Sequence, residues 1–319
     1  MMEKIAVLTS GGDAPGMNAA IRAVVRAALV EEIIPFVVFE GYKGLFEDNI
    51  QMVDRSFVSE CINRGGTIIG TARLPQFVND DVQKKCADNL KDKGITNLVV
   101  IGGDGSYRGA LGLSRFGIRV ICLPGTIDND APGTDYTIGF DTALNTIVEA
   151  IDRLRDTSNS HQRCSIIEVM GRHCGDLAVH AGIATGAELI LSSERVMTKE
   201  NILDELFNAK ASGKRHELVV VSENLFDVNK LAEEIEEKVG METRATVLGH
   251  IQRGGRPSGK DRVLASLMGA RAIDALKMDF DSCCVGMVNN QVVVQDLKTC
   301  LDVVRMPDLG MYTDSERLK

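Results

Sequence analysis

The amino-acid sequence predicts an α/β protein made of two similar three-layer lobes with mainly parallel sheets. Short β-branched apolar runs alternate with amphipathic helical stretches along the chain, which is typical of parallel sheets covered by helices on both faces. Several of these apolar runs end in a glycine turn that opens the next helix, as strands do in such folds.

The same alternation predicts the elements in chain order. In the first half, strands are expected at 4–8, 35–39, 98–101 and 119–123, and helices at 15–30 and 81–93. In the second half, helices are expected at 141–155, 199–211, 228–239 and 261–277, with a polar turn at 156–161. Strands are expected at 165–169, 188–191, 217–221 and 243–248, and a hairpin joins 285–288 to 291–294. We expect the chain to leave the first lobe near Ile138 and to return to it near Ile251. The first predicted lobe is therefore residues 1–138 plus 251–305, and the second is residues 139–250 plus 306–319.

Composition narrows the class of protein. The 319 residues are 44% hydrophobic and 25% charged, as in ordinary globular proteins, and carry a net charge of −9. This acidic balance argues against a nucleic-acid or anionic-membrane partner. No apolar run approaches the roughly 20 residues of a membrane helix, and the first apolar run is too short for a signal peptide. The eight cysteines form no CxxC pair, so we expect reduced thiols in a cytoplasmic protein.

Two Gly-Gly-Asp loops, at 11–13 and 102–104, follow predicted buried strands and precede helices. Glycines leave backbone N–H groups open to a ligand, and a helix start favours a phosphate. Asp104 would place an oxygen ligand for Mg²⁺ beside that phosphate. The pair of loops therefore predicts a magnesium–nucleotide site.

Asp128 and Asp130 are alternate residues of the turn after the strand at 119–123. Either could accept a proton in phosphoryl transfer, which otherwise depends on positioning and charge neutralisation. The alternative is that both are ordinary turn residues.

The sequence has no GxSxG elbow, no GxxxxGK[ST] loop and no GxGxxG after the first strand, which disfavours hydrolase, P-loop and dehydrogenase functions.

Basic side chains near predicted strand ends suggest a sugar-phosphate site. An arginine guanidinium can bind two phosphate oxygens at once. Taken singly, however, an arginine is more often part of a surface ion pair. Glu223 could bind sugar hydroxyls or cap a helix, and Met170 more often packs than contacts a ligand. By spacing alone, Arg22 and Arg26 predict a surface pair on one helix face. The candidate sugar-phosphate residues are Arg163, Arg172, Arg244, Arg253 and His250.

Seven stretches together resemble the bacterial ATP-dependent 6-phosphofructokinase family. The resemblance runs in order from Lys4 to about Asn289, so it covers nearly the whole chain. The stretches are specific only when taken together, because GGDG alone also occurs in lipid and NAD kinases. The stretches are LTSGGDAPGMNAAIRA (8–23), GTAR (70–73), VVIGGDGSYRGA (99–110), LPGTIDND (123–130), RDTSNSHQR (155–163), VMGRHCGD (169–176) and LGHIQRGG (248–255).

The resemblance implies an enzyme of glycolysis. It would phosphorylate D-fructose 6-phosphate at the 1-hydroxyl, using ATP and Mg²⁺, to give fructose 1,6-bisphosphate and ADP. The first predicted lobe would bind ATP and the second fructose 6-phosphate, with the active site in the cleft between them. A cytoplasmic homotetramer without nucleic-acid or membrane partners is also implied.

The resemblance assigns roles residue by residue. Asp128 would be the base for the 1-hydroxyl, Arg172 would stabilise charge on the transferred phosphoryl, and Arg163 and Arg244 would come from a neighbouring subunit. Catalysis would rest on Thr126, Asp128, Asp130 and Arg172. ATP would be held by Gly12, Arg73, Leu74, Gly103, Asp104, Gly105 and Ser106, with Asp104 also at the metal. The sugar phosphate would meet Thr126, Ile127, Asp128, Arg163, Met170, Gly171, Arg172, Glu223, Arg244, His250, Ile251, Gln252 and Arg253.

An allosteric site for ADP, GDP or phosphoenolpyruvate is also implied. Ser56 stands where the family commonly has an aromatic residue, and Ser212 where a lysine is common, so we expect intact catalysis with weaker or altered regulation. Leu74 replaces a common cysteine, which leaves a backbone contact to the nucleotide possible. The effector residues would be Arg22, Arg26, Arg55, Ser59, Glu60, Arg155, Gly186, Glu188, Lys214, Arg215 and His216.

Two glycines predict the phosphoryl donor. Pyrophosphate-using relatives carry Asp in place of Gly105 and Lys in place of Gly125, and glycine at both positions leaves room for ATP. Two other functions agree less well with the sequence. A kinase of another sugar phosphate is disfavoured by the intact arginine and histidine set, and a non-catalytic metabolite-binding paralogue by the presence of both Asp104 and Asp128.

Overall fold

The computed structural model describes residues 2–303 and 305–318. Its strands are β1 (Lys4–Thr9), β2 (Ile34–Val38), β3 (Ile50–Met52), β4 (Asn97–Gly102), β5 (Arg119–Thr126), β6 (Ile138–Gly139), β7 (Cys164–Val169), β8 (Leu189–Leu191), β9 (Glu217–Ser222), β10 (Thr243–Val247), β11 (Cys283–Val288) and β12 (Gln291–Asp296). Its α-helices are α1 (Met17–Val30), α2 (Gly41–Phe46), α3 (Asp80–Asp92), α4 (Asp104–Ser114), α5 (Phe140–His161), α6 (Asp176–Thr185), α7 (Lys199–Ala211), α8 (Val228–Val239), α9 (Gly259–Asp274), α10 (Leu297–Asp302) and α11 (Leu309–Arg317). Short 3₁₀ helices span Pro75–Val78, Gly249–Arg253 and Ala275–Lys277.

The chain divides into two compact units, Met1–Thr142 with Arg253–Arg305 and Ala143–Gln252 with Met306–Lys319. The sequence-based divisions were placed after residues 138 and 250. Residues 1, 304 and 319 of the predicted ranges lie outside the described residues. Which ligand each unit binds stays a prediction.

The sheet of the first unit has strand order β12-β11-β5-β4-β1-β2-β3, with β6 added beside β5. The pairs among β2, β1, β4, β5 and β11 are parallel, and only the edge strands β3 and β12 run antiparallel to their neighbours. The central strands β1, β4 and β5 are apolar through their middle residues because both of their faces are buried there.

The sheet of the second unit is entirely parallel, in the order β10-β7-β9-β8. Its apolar side chains pack with α7 and α8, whose buried residues recur at helical spacing. The predicted α/β class with mainly parallel sheets is confirmed. No helix among residues 2–303 and 305–318 is long and apolar enough to cross a membrane.

Two predicted boundaries were wrong. The stretch 156–161 was expected to be a polar turn, but it continues α5 as far as His161. The Ser158 hydroxyl donates to the Leu154 carbonyl four residues earlier and also contacts the Ser165 hydroxyl, so these polar residues bond within the helix and to β7. The strand expected to end at 123 runs on to Thr126, because Gly125 and Thr126 pair with β6.

Candidate active site

Three neighbouring strands of the first unit, β1, β4 and β5, end side by side. In the parallel register Thr9 lies opposite Ile101, and Gly102 lies opposite Pro124. A Cβ atom built on Gly11 would lie 3.5 Å from the Ser106 hydroxyl, and one on Gly103 would lie 3.7 Å from the Thr126 Cβ. The two Gly-Gly-Asp loops and the loop at 126–130 therefore lie at one edge of the sheet.

The start of α4 supplies the features of a phosphate site. Its first N–H groups have no partner within the helix, and the helix dipole favours an anion there. A Cβ atom on Gly105 would meet nothing within 4 Å, so the space beside this turn is open. The Asp104 carboxylate is partly exposed and lies 3.0 Å from Arg108 Nε. Such an exposed pair is weak, so Asp104 remains available to a cation.

The GTAR stretch is tied to the end of β1 by threonine hydroxyls that the sequence interpretation did not include. Thr71 Oγ1 donates to the Gly11 carbonyl at 2.9 Å, and Thr9 Oγ1 donates to the Gly70 carbonyl at 2.9 Å. These bonds bring the exposed Arg73 and the half-buried Leu74 to the edge that carries the glycine loops.

Asn18 is a second residue that the sequence interpretation missed. It is fully buried on α1, where its amide donates to the Arg64 carbonyl at 2.9 Å and accepts the Ile68 N–H at 2.7 Å. It thereby anchors the glycine turn before GTAR. A polar residue among the apolar positions at the start of α1 was the available signal.

The loop after β5 is braced by Asn129 and Thr137. Asn129 adopts φ +55°, and its Oδ1 accepts the Thr137 N–H at 2.9 Å. The Thr137 hydroxyl donates to the Thr126 carbonyl at 2.6 Å, and the Asp128 N–H donates to Thr126 Oγ1 at 3.2 Å. Thr126, Ile127 and Asp128 are all buried by this arrangement, and Asp130 lies at its half-buried end.

Arg253 lies against the first Gly-Gly-Asp loop. A Cβ atom on Gly12 would overlap the Arg253 guanidinium, so a larger residue there would displace this side chain. Arg253 Nη1 also donates to the Asp13 carbonyl at 3.4 Å. Arg253 therefore belongs to the first unit.

In the second unit, the turn after β7 is shaped by glycine and by Glu223. Gly171 has φ +136°, and a Cβ atom there would overlap the Cys174 carbonyl. Arg172 has φ +58°, and its N–H donates to Glu223 Oε1 at 2.8 Å, while its side chain is exposed. The helix-capping interpretation of Glu223 was wrong, because Asp227 caps α8.

Gln252 joins the Gly249–Arg253 helix to the same turn. Its buried side chain accepts the Met170 N–H at 3.0 Å and donates to the Gly249 carbonyl at 2.9 Å. Neighbouring His250 and Ile251 are exposed beside it. The predicted sugar-binding residues Met170, Gly171, Arg172, Glu223, His250, Ile251 and Gln252 thus lie together at the carboxyl end of this sheet.

The interpretation of four arginines and His250 as one cluster was wrong. Arg163 precedes β7 and Arg244 is the second residue of β10, so both lie at the amino end of the sheet. Arg172 lies at the carboxyl end, and the six residues of β7 separate the two ends by about 20 Å. Arg163 and Arg244 each pair with Glu242, at 3.5 and 2.8 Å.

The predicted effector residues form one group in each unit. In the first, Arg22, Arg26 and Arg55 make no ion pair among the described residues, and burial together with the other two guanidinium groups lowers the pKa of Arg26. Ser59 and Glu60 follow on the same segment. In the second, the Arg155 guanidinium donates to the Thr185 carbonyl beside Gly186, and Lys214 Nζ lies 3.8 Å from Glu188. Exposed Arg215 and half-buried His216 continue from Lys214.

The two donor-related glycines differ in their surroundings. Gly105 faces open space, as the donor argument requires, but a Cβ atom on Gly125 would lie 2.9 Å from Ile101 Cγ2 and 3.1 Å from Met17 Cε. The space at Gly125 is therefore filled by the protein's own side chains, and the steric argument for ATP rests on Gly105 alone.

The chain is similar in sequence and fold to known phosphofructokinases. A family model described as phosphofructokinase matches residues 4–276. Phosphofructokinase from Saccharomyces cerevisiae is 35% identical, covering 99% of this chain and 48% of that one, with a TM-score of 0.89. The T-state structure from Pichia pastoris is 36% identical over 95% of this chain and 38% of that one, with a TM-score of 0.89.

A pyrophosphate-dependent phosphofructokinase from Marinobacter aquaeolei is 22% identical over 96% of this chain and 86% of that one, with a TM-score of 0.83, and shares the fold. This chain spans less than half the length of the two yeast relatives. The family match runs through every loop described above, from the end of β1 to α9. The chain belongs to the phosphofructokinase family.

Proposed function

We propose that this protein transfers the γ-phosphoryl group of ATP to the 1-hydroxyl of fructose 6-phosphate, as a glycolytic enzyme of the cytoplasm. The observation that carries the proposal is the alignment of β1, β4 and β5. It sets the turn at 103–106 beside Thr126, two residues before Asp128, which supports a site where this turn binds the donor phosphates and the acceptor hydroxyl lies next to one carboxylate.

ATP is the proposed donor because the space beside Gly105 is open. Pyrophosphate is smaller and needs no such room. Similarity to the pyrophosphate-dependent proteins concerns the fold, so it does not favour either donor.

Mg²⁺ is the proposed metal, held by Asp104. No group of three or more His, Cys, Asp or Glu suited to a metal exists among the described residues. Mg²⁺ nevertheless fits this site, since it often takes one or two carboxylates and completes its shell with water and substrate phosphates. When bound, it neutralises charge on the phosphoryl oxygens.

Asp128 is the proposed general base. It is buried in a braced loop, and its backbone bond to Thr126 holds the two residues together. Arg172 would stabilise charge on the transferred group. Arg163 and Arg244, at the other end of the second sheet, would serve the site of a neighbouring subunit in a homotetramer.

An assay with purified protein, Mg²⁺, fructose 6-phosphate and either ATP or pyrophosphate tests the proposal. Asp128→Ser should lower kcat by roughly 10²- to 10⁴-fold, as general-base loss does. Asp279→Ser, which removes an exposed carboxylate of the same unit, is the matched control and should leave kcat unchanged. Absence of turnover with both donors would refute the kinase function. Turnover with pyrophosphate alone would refute ATP as the donor.

A related sugar phosphate is the second candidate acceptor. The turn at 170–172 and Gln252 position backbone and guanidinium groups that would bind any sugar phosphate. The ratio of kcat/KM values for fructose 6-phosphate and related sugar phosphates decides between them.

We also propose that Arg22, Arg26 and Arg55 bind the phosphate of an effector, because these three neighbouring cations lack ion-pair partners among the described residues. Ser56 bonds to Asp54 through its hydroxyl and offers no ring for stacking. A purine base would therefore find no stacking partner at residue 56, so we expect regulation by ADP or phosphoenolpyruvate to be weaker or altered. A strongly sigmoidal response to phosphoenolpyruvate, relieved by ADP, would contradict this proposal.

A further inference from the structure

Two buried thiols of the first unit, Cys284 of β11 and Cys300 of α10, lie with their sulfur atoms 3.0 Å apart. Their residues are 1% and 3% exposed. Cys122 lies opposite Cys284 in the parallel register of β5 and β11 and shares the same core cluster. These thiols have no role in the proposed transfer reaction.

A glycine turn packs directly against the pair. A Cβ atom on Gly133 would lie 2.9 Å from the Cys300 sulfur and 3.2 Å from the Cys284 sulfur. Gly133 is itself half-buried, so it reaches the surface on one side and the two sulfurs on the other. A small neutral oxidant thus has only a short distance to cross.

The cluster also holds an unpartnered polar group. The Tyr107 hydroxyl of α4 is fully buried and has no hydrogen-bond partner among the described residues. Burial and then the thiols, with Cys284 and Cys122 first, raise the pKa of this phenol, which places the hydroxyl among them. An oxygen atom added to one of these sulfurs would give it an acceptor.

The two thiols differ in reactivity. The Cys284 S–H donates to the Cys300 sulfur, and this hydrogen bond lowers the pKa of Cys300 while it raises that of Cys284. Because the thiolate is the nucleophile, the lowered pKa favours Cys300 as the sulfur that would attack an oxidant first.

We propose that Cys284 and Cys300 form a reversible oxidation site that closes to a disulfide on exposure to hydrogen peroxide. The Cys300 sulfur attacks the O–O bond, which breaks to give Cys300–SOH and hydroxide. The Cys284 sulfur then displaces the oxygen, which leaves as water when the S–S bond forms. Two sulfurs lose two electrons and two protons in total, and peroxide is reduced to two waters. The sulfurs need to approach by about 1 Å to reach the bonded distance of about 2.05 Å.

Peptide mapping tests this site without any assay of activity. The native protein is treated with peroxide, quenched, alkylated after denaturation and digested with trypsin. Cys283 and Cys284 fall in peptide 278–298, and Cys300 falls in peptide 299–305. We expect these two peptides to be joined, with the loss of two hydrogens, and to separate after treatment with dithiothreitol.

Matched variants locate the bond. The joined peptides should persist in Cys283→Ser and Cys122→Ser and be absent from Cys284→Ser and Cys300→Ser. If a serine variant fails to fold, fragment ions of the joined wild-type peptides still show which cysteine of 278–298 is bonded. A bond through Cys283, or free thiols at both positions after treatment, would overturn the proposal.

Discussion

Glu223 accepts a hydrogen bond from the backbone N–H of Arg172 at 2.8 Å, and this contact joins the end of β9 to the turn after β7. Arg172 has φ +58° there, a conformation that costs roughly 1–2 kcal/mol for a residue with a side chain. The carboxylate that the sequence suggested for sugar hydroxyls therefore also shapes the turn that presents the Arg172 guanidinium.

Replacement of Glu223 should weaken catalysis through this turn. Glu223→Ala removes the acceptor and should lower kcat/KM for fructose 6-phosphate roughly 10- to 100-fold, as loss of a hydrogen bond to a charged group does. Glu223→Gln keeps a carbonyl acceptor, so its kcat/KM should fall less than that of Glu223→Ala. Steady-state kinetics check both variants, with an unchanged KM for ATP as the control. Equal losses in the two variants would argue against the backbone role.

A charge at position 105 should impair use of ATP. Because a side chain there meets open space, Gly105→Asp should fold normally but repel the nucleotide phosphates, raising the KM for ATP by roughly tenfold or more. Gly105→Asn has nearly the same volume without the charge and is the matched control. If both variants raise the KM equally, volume and not charge controls donor binding.

The two donor-related glycines should also differ in their effect on stability. Gly125→Ala would crowd Ile101 and Met17, and overpacking of this kind costs roughly 1–3 kcal/mol. Gly105→Ala lies in the first turn of α4 in open space, where alanine should stabilise by about 0.5–1 kcal/mol. Thermal unfolding midpoints should therefore shift in opposite directions. If Gly125→Ala left the unfolding midpoint unchanged, the Met17 side chain would have to move aside freely.

The start of α10 should become less stable at low pH because Asp296 caps this helix. Its Oδ1 accepts the Thr299 N–H at 2.8 Å and the Thr299 hydroxyl at 2.7 Å, which lowers the pKa of Asp296 below its ordinary 3.8. The carboxylate therefore stabilises the folded state above about pH 4, and this contribution is lost as the pH falls through the lowered pKa.

Asp296→Asn removes this titration and keeps a side-chain oxygen at the cap. The difference in unfolding midpoint between wild type and the variant should shrink as the pH is lowered from 6 towards 3. Hydrogen exchange of the α10 amides over the same range gives a local measurement. Parallel unfolding curves at all pH values would show that the carboxylate does not titrate with folding.

Local patterns predicted most elements because apolar periodicity and glycine turns act over a few residues. The helices at 199–211 and 228–239 were placed at their observed bounds. The end of α5 was misjudged because Ser158 satisfies its hydroxyl partly against Ser165, a contact that depends on where β7 lies. The arginine cluster was misjudged because nearness to a strand end does not say which end of the sheet the residue occupies.

The sequence by itself determined the family and the alternation of strands and helices, because these reside in short runs of residues. Tertiary structure decided which loops meet. The register of β1, β4 and β5 brings Gly11 to Ser106 and Gly103 to Thr126, and Gln252 brings the helix after β10 to the turn after β7. It also decided that Gly105 faces open space while Gly125 is packed, since the surroundings of a glycine come from distant parts of the chain.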